Sequence, residues 1–365
     1  MSYFRGGLRF REDRFSGYAP GLYIPVYVPG VARGYKVIFY DSADVKIGEL
    51  GSDIREPAIS VIEFELCEFG CGGFRLTTDR ALPFTIGYRM RADIFPYFST
   101  DPWFTGFIMV LPQRAQKVQP FVYSGYGYYE QLDWVLVSKS YLSTNLSTIL
   151  ADIIQNIVAP ATHIKYNASK IASVDYTVSE INFDHVPAKE AISTLAGFTP
   201  DYESGVDSFR EFYFRLKQTG TTTRLWAGKH FGDFDVNEDI NTIQNRLYVK
   251  QGKITSGSNI VGTVEDAASI GSYGVREAVI TAPEIQDATD AIAWAQGELA
   301  RLKDPKAHGQ VAGVFLDEFR TPFEARGKAQ ITDNEGQLFV LPIKSVKYKI
   351  SSQGTFATLE LESGR

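Results

Sequence analysis

Hydrophobic and polar positions alternate along much of the chain, as they do in β-strands that bury one face. The clearest case is residues 61–67, in which Ile62, Phe64 and Leu66 share one face. A glycine-rich turn follows, and the alternation then resumes, which predicts a β-hairpin. Further strands are predicted at 74–77, 84–94, 103–111 and 118–123. Successive strands without helices predict a β-barrel or sandwich over residues 35–140.

The period then changes to the three- and four-residue spacing of an amphipathic helix. Its apolar face comprises Leu146, Ile149, Leu150, Ile153, Ile154, Ile157 and Val158. We expect Pro160 to end this helix. A second helix is predicted from Pro187 to Ala196, with Gly197 as its C-terminal cap. Together with a strand at 209–216, these elements predict a small α/β domain over residues 141–235.

Strands return over residues 236–365, and we expect a second β domain there. A third helix is predicted from Ala288 to Lys303, with Asp287 as its N-cap. Predicted strands lie at 246–250, 253–256, 310–315, 327–332, 337–340, 343–351 and 355–361, with turns at 333–336 and 353–354. The predicted fold class is therefore mainly β with an α/β insertion.

Residues 1–34 show neither the alternation of a strand nor the spacing of a helix, and they are rich in Gly, Tyr, Arg and Pro. Exposed apolar side chains mark contact sites, and the tyrosines of this segment would be poorly placed in free solvent. We therefore expect an extended N-terminal arm that lies over a neighbouring molecule. The alternative is a loose chain terminus.

Chain length and net charge limit the classes of function that this protein could have. The chain has 365 residues, more than one domain usually holds, and a net charge of −6. This charge argues against a protein that grips nucleic acid through a basic face, but not against a wall past which DNA slides. Residues 1–14 lack the apolar core of a signal peptide. No apolar run approaches about 18 residues, so we expect no membrane span.

The residues that could bind a metal are scattered. His163, His185, His230 and His308 share no helix or hairpin spacing, so we predict no metal site. The two cysteines, Cys67 and Cys71, lie on one hairpin without further ligands nearby, and we expect two small, half-buried side chains. No cofactor motif is found: the Gly125-x-Gly127 pair lacks the third glycine of a dinucleotide site.

Clustered carboxylates are the remaining candidates for chemistry. Asp201, Glu203 and Asp207 fall in one loop, and Glu63 and Glu65 share a strand face. A glycosidase needs one buried acid and a partner ~5–9 Å away, whereas carboxylates in polar loops usually support turns. We expect no catalytic residue, and we expect Asp207 to close the loop before the next strand. The turn at 333–336 lacks the bidentate acid of a calcium loop.

Several stretches together resemble the hub proteins of tailed-phage tail tips and baseplates. In the N-terminal region they are the hairpin at 64–76 and residues 103–108 (WFTGFI), 123–127 (YSGYG) and 132–133 (LD). In the middle they are residues 195–198 (LAGF), 201–207 (DYESGVD) and 211–214 (EFYF). In the C-terminal region they are residues 244–249 (QNRLYV), 273–278 (YGVREA), 294–295 (WA), 299–300 (LA), 344–348 (KSVKY) and 357–361 (ATLEL).

The resemblance covers roughly residues 35–365 and implies a fold and a function. It implies two tail-tube-like β-barrels, at 35–140 and 236–365, flanking the small α/β domain. It also implies a homotrimeric, pseudo-hexameric ring that adapts the six-fold tail tube to a three-fold tip and surrounds the passage of DNA and tape-measure protein. The implied partners are the tail-tube, distal tail, tape-measure and tip or fibre proteins. The implied location of the protein is the virion tail tip, after synthesis in the host bacterial cytoplasm.

Arg276 and Glu277 are the polar positions to which the resemblance assigns an inter-subunit contact; the alternative is a surface pair of small energetic worth. Many relatives carry further fibre, peptidase or glycosidase modules, and we expect other proteins to supply such activities here. Two other readings stay open. One is a carbohydrate-binding β-sandwich, suggested by the many aromatic residues, and the other is a tail-associated glycosidase or peptidase.

Overall fold

A computed structural model describes residues 34–363, with gaps at 52–58, 80–81, 83, 113–119, 233, 252–259, 317–318 and 320. The predicted N-terminal arm therefore lies outside the described residues except for Gly34. The predicted strand at 253–256 lies outside them as well.

The N-terminal region is a run of antiparallel strands. They are β1 (Tyr35–Tyr40), β2 (Lys46–Gly51), β3 (Ile59–Cys67), β4 (Gly70–Thr78), β5 (Arg91–Pro96), β6 (Phe104–Val110) and β7 (Phe121–Gly127). Their order in the sheet is β2-β1-β5-β6-β7-β4-β3. The predicted hairpin at 61–77 is β3–β4, and Gly70 has the positive φ of 98° that its tight turn requires.

The C-terminal strands continue the same sheet. They are β12 (Thr221–Trp226), β13 (Phe234–Asp239), β17 (Lys306–Phe315), β18 (Lys328–Thr332), β19 (Leu338–Ser351) and β20 (Gly354–Glu362). Their pairing runs β13-β17-β20-β19, and β18 joins β19 to β12. The predicted turn at 333–336 connects β18 to β19, where Asp333 accepts hydrogen bonds from the backbone N–H of Glu335 and Gln337.

The two halves meet where β19 pairs antiparallel with β3. Tyr348 of β19 stacks on Phe64 of β3 with ring centroids 4.8 Å apart. Both rings belong to one hydrophobic core shared by the two halves, which also includes Phe39, Phe104 and Leu359. Residues far apart in sequence therefore form one continuous sheet.

The middle region supplies the helices. Its elements are β8 (Leu136–Asn145), α1 (Leu146–Asp152), a π-helical turn (Ile153–Val158), α2 (Ala159–Ala161), β9 (Thr177–Pro187), α3 (Ala188–Gly197), β10 (Tyr202–Val206) and β11 (Phe212–Leu216). β8 pairs with β9, and β10 pairs with β11 and meets β4 at one bridge. This region confirms the predicted α/β insertion in a mainly β chain.

A three-stranded sheet packs on these helices. It contains β14 (Arg246–Gln251), β15 (Ile260–Glu265) and β16 (Glu277–Ala282), with α4 (Ala267–Tyr273) and α5 (Ala288–Leu302) nearby. Leu247, Val249, Ala295 and Leu299 belong to a second hydrophobic core together with Ile192 of α3. The four-part domain division of the sequence stays a prediction.

Of the local predictions, one helix end was confirmed and two others were wrong for identifiable reasons. The first helical stretch ends at Ala161, one residue beyond the predicted end at Pro160, so this end is confirmed to within one residue. Gly197 does not cap α3 in a left-handed conformation. It allows a close helix crossing, since a Cβ there would lie 2.3 Å from Trp294 Nε1. The two strands predicted separately at 337–340 and 343–351 form the single strand β19, which continues through Pro342.

Candidate assembly surfaces

Open sheet edges are the main surface feature of the fold. Among the described strands, β2 and β13 end the longest path of the large sheet, and β15 and β16 end the three-stranded sheet. An edge strand presents unpaired backbone groups to which another chain can add a strand. These edges are therefore candidate surfaces for assembly.

The β16 edge begins at the residues singled out in the sequence. The backbone N–H of Arg276 donates to Asn245 Oδ1 at 2.7 Å, which fixes the chain as it enters the strand. The Glu277 carboxylate accepts hydrogen bonds from Tyr248 Oη at 2.9 Å and Arg246 Nη1 at 3.1 Å. These two donors lower the pKa of Glu277. Glu277 is thus bound across the strand to β14 residues.

Exposed apolar side chains accompany this polar pair. Tyr273 and Val275 precede the strand, and Val279 lies on it with 54% of its surface exposed. Gly274, between the first two, has a φ of 76°, a left-handed value that favours glycine. An open edge with three exposed apolar side chains has the character of a contact surface.

A charged cluster ties the N-terminal strands to the middle region. Arg210 is only 6% exposed and holds Asp44 with two hydrogen bonds, of 3.1 and 2.8 Å. Arg91 binds the same carboxylate at 2.6 Å and lies 3.5 Å over the Tyr40 ring. Asp93 lies 3.2 Å from Arg91 Nε. The cluster joins segments that are 166 residues apart in the chain.

The balance between burial and the neighbouring arginines sets the protonation of the two acids in this cluster. For Asp44, burial favours the neutral form, but the hydrogen bonds and charge of Arg210, together with the charge of Arg91, outweigh it and lower the pKa. For Asp93, burial prevails over Arg91 and raises the pKa to about 6. The cluster therefore contains one firmly ionised carboxylate and one that takes up a proton in mildly acidic solution.

The prediction that Asp201, Glu203 and Asp207 share one loop was wrong, because Tyr202–Val206 form strand β10. Asp207 Oδ1 accepts the backbone N–H groups of Phe209 and Glu211, so its predicted role in closing the loop before the next strand is confirmed. Its other oxygen pairs with Lys170. Glu203 forms ion pairs with Arg215 at 2.8 Å and Arg326 at 3.3 Å. Each of these two carboxylates therefore has a structural role.

Asp201 and Glu203 line one groove of about 430 Å³, which Lys217, Arg326 and Lys328 also line. Asp207 is not part of it. The groove lining thus contains both positive and negative side chains, and Glu203 is engaged by its arginines. Glu63 and Glu65 lie elsewhere, on β3, within 3.8 and 4.0 Å of lysines on β19.

The remaining sequence candidates have structural explanations. Cys67 and Cys71 form no disulfide, and Cys71 is buried. A Cβ at Gly127 would lie 2.0 Å from the Cys71 carbonyl oxygen, so this glycine serves close strand packing. Within the part of the chain that the structure describes, no group of three or more His, Cys, Asp or Glu residues could hold a metal ion. No helix there has the length and apolar character needed to cross a membrane.

The fold is that of phage tail proteins. The 43 kDa tail protein of prophage MuSo2 from Shewanella oneidensis superposes with a TM-score of 0.64 at 15% identity, over 90% of this chain and 98% of its own. A tail protein from Neisseria meningitidis gives 0.64 at 12% identity, over 90% and 97%. The prophage tail protein gp18 from Listeria monocytogenes gives 0.57 at 12% identity, over 90% and 94%.

No family model and no curated protein matches the sequence. The likeness is therefore one of fold, and it extends over nearly the whole length of these tail proteins. The resemblance in fold that the sequence motifs indicate is confirmed.

Proposed function

We propose that this protein is a structural component of a phage tail tip or baseplate, where it forms the hub around the DNA passage. The observation that carries the proposal is the fold, which matches three prophage tail proteins along almost their entire length. We place it in the virion, at the tail tip.

The proposed assembly is a homotrimer. Each subunit contributes two β-rich halves joined at β3 and β19, so three subunits present six similar units around a ring. One face then meets the six-fold tail tube and the distal tail protein, and the other meets a three-fold tip or fibre protein. DNA and the tape-measure protein pass through the centre without specific binding, in keeping with a net charge of −6.

The β16 edge is the proposed inter-subunit contact, with Arg276 and Glu277 at its start. Its support is the open strand edge and the exposed side chains of Tyr273, Val275 and Val279. Pairing across subunits would cover both the backbone groups and the apolar side chains.

The role we propose is structural and not enzymatic. Two of the candidate acids from the sequence, Glu203 on β10 and Asp207 after it, are engaged by arginine and lysine side chains and by backbone N–H groups. A general acid needs the opposite environment, with burial that favours its neutral form.

The test is the native mass of the purified chain, alone and mixed with the tail-tube protein. We expect three times the chain mass of 40.7 kDa, with a central hole in electron micrographs, at the latest when the tube protein is present. A chain that stays monomeric with the tube and neighbouring tip proteins would contradict the hub. Oligosaccharide binding by that monomer would favour the carbohydrate-binding alternative.

A further inference from the structure

A small aromatic groove lies over β4 and the end of β7. One wall is Phe69, which stacks on Tyr129 with ring centroids 4.8 Å apart and planes 11° apart. The other wall is Tyr126, with half of its surface exposed. Glycines, including Gly72 and Gly73, form the floor, and the volume is about 160 Å³.

Close packing explains Gly127, and a Cβ at Gly72 would lie 3.3 Å from the Glu65 carbonyl oxygen, but packing among the described residues does not explain Gly73. A Cβ at Gly73 would have its nearest contact at an ordinary 3.8 Å, and the backbone there is not left-handed. Glycine within a strand is unfavourable, and it often marks a place where a ligand or another backbone approaches closely. An open floor between exposed aromatic rings suits an extended segment such as a polyproline II helix.

The charged residues of the groove lining are Glu130 and Lys189. Lys189 is shared by Glu130 at 3.3 Å and by Asp133, outside the lining, at 2.8 Å, so this group of three carries one negative charge in excess. The chain itself contains a segment of matching chemistry. Residues 1–33 have five arginines and only two acids, although the whole chain has a net charge of −6. Within residues 15–29 three prolines alternate with three tyrosines, at Pro20, Pro25 and Pro29 and at Tyr18, Tyr23 and Tyr27.

We propose that this groove binds the proline–tyrosine segment, residues 15–29, of a second copy of the chain. Prolines fix φ near the polyproline II value, so little conformational entropy is lost on binding. Thirty-three residues reach up to about 110 Å when extended, enough to cross to a neighbouring subunit. The inference rests on the proposed homotrimer and names one set of contacts that would hold it together.

The test uses the full chain with the photo-reactive residue benzoylphenylalanine in place of Tyr126. We expect irradiation to give a product of twice the chain mass, with the cross-link mapped by mass spectrometry to residues 15–29. Replacing all three prolines with alanine should lower its yield severalfold. The matched control carries the same probe at Tyr88, which is 66% exposed, and should not mark this segment. A second variant carries the probe at Phe69 instead, so that a disturbance caused by replacing Tyr126 itself can be recognised.

Three results would overturn the inference. They are a cross-link within one chain, a cross-link to another segment, and no cross-link from either groove position. Native mass, measured on the same samples, separates this failure from failure of the hub itself. A trimer without the cross-link refutes only the arm contact, whereas a chain that stays monomeric with the tube protein refutes both.

Discussion

Two residues with left-handed backbones meet in the charged cluster of the N-terminal strands. Asp44 has a φ of 62° and Arg210 a φ of 67°. Such conformations cost about 1–3 kcal/mol each and persist where the surroundings hold them. Here the two-pronged ion pair and the Arg91 contact hold both. The cluster thus fixes how the middle region attaches to the first strands.

Asp93 should stabilise the folded chain more in mildly acidic solution than at neutral pH, which is the reverse of the usual behaviour of a carboxyl group. Its pKa in the folded chain, about 6, lies above its ordinary value of 3.8, so the native state binds a proton that the unfolded state releases. The contribution of Asp93 to the free energy of unfolding should therefore rise as pH falls from about 6 toward 4. Asp93→Asn should be more stable than wild type at pH 7.5, by up to about 3 kcal/mol.

The measurement is urea unfolding of both chains at a series of pH values. The stability gap between Asp93→Asn and wild type should close as the pH falls to 4, since wild-type Asp93 is then neutral as well. Groups that titrate equally in both chains cancel in this difference. If Asp93→Asn were instead less stable than wild type at pH 7.5, the charge of Arg91 would outweigh burial.

At the scale of elements, the crossing of α3 and α5 depends on two glycines. A Cβ at Gly297 would lie 2.0 Å from the Gly197 carbonyl oxygen. Gly297→Ala should therefore push the helices apart and lower the free energy of unfolding by about 1–3 kcal/mol. Gly271→Ala is the matched control in α4. No atom lies within 4 Å of its Cβ position, and alanine should stabilise that helix by about 0.5–1 kcal/mol.

Chemical denaturation of the two variants decides this prediction. Opposite shifts of the unfolding midpoint are expected. Equal shifts would indicate that helix propensity, and not the crossing distance, governs both positions.

Elements with a strong local signal could be predicted from the sequence. Helix α5 has its predicted start, because Asp287 caps the backbone N–H groups of Thr289 and Asp290 within three residues. Strands β8 and β9 were not predicted, since each exposes most of its positions and its partner is more than thirty residues away. Gly197 was misread as a cap because its neighbour, α5, is invisible to a local pattern.

The candidate surfaces were less accessible to sequence reasoning. The position of Arg276 and Glu277 at a strand edge follows from the pairing of β16 with β14, which no local pattern encodes. The charged cluster and the aromatic groove each combine segments that lie far apart in the chain. From the local sequence alone, Tyr126 looks like an ordinary strand residue and Phe69 like an ordinary turn residue.

At the scale of the whole molecule, the β16 edge should control assembly. Val279→Lys places a charge on the exposed edge, which should disfavour strand pairing and weaken the proposed homotrimer at least ~10-fold, or about 1.4 kcal/mol. Leu142→Lys is the control, because Leu142 is a similarly exposed apolar residue on another strand, β8.

Sedimentation of both variants over a concentration series checks this prediction, with circular dichroism to verify the fold. A trimer of unchanged stability in Val279→Lys would mean that the inter-subunit contact lies at another open edge. The edges of β13 and β2 would then be tested next.

The pairing of β3 with β19 has a consequence for biosynthesis. Phe64 emerges from the ribosome roughly 280 residues before Tyr348, its partner in the sheet. At ~5–20 residues per second, about 15–60 s pass before β3 can acquire that neighbour. During this interval the nascent chain carries a nine-residue strand with one side uncovered and an incomplete core. Chaperone supply and translation speed should therefore influence how much of the chain reaches its folded state in a cell.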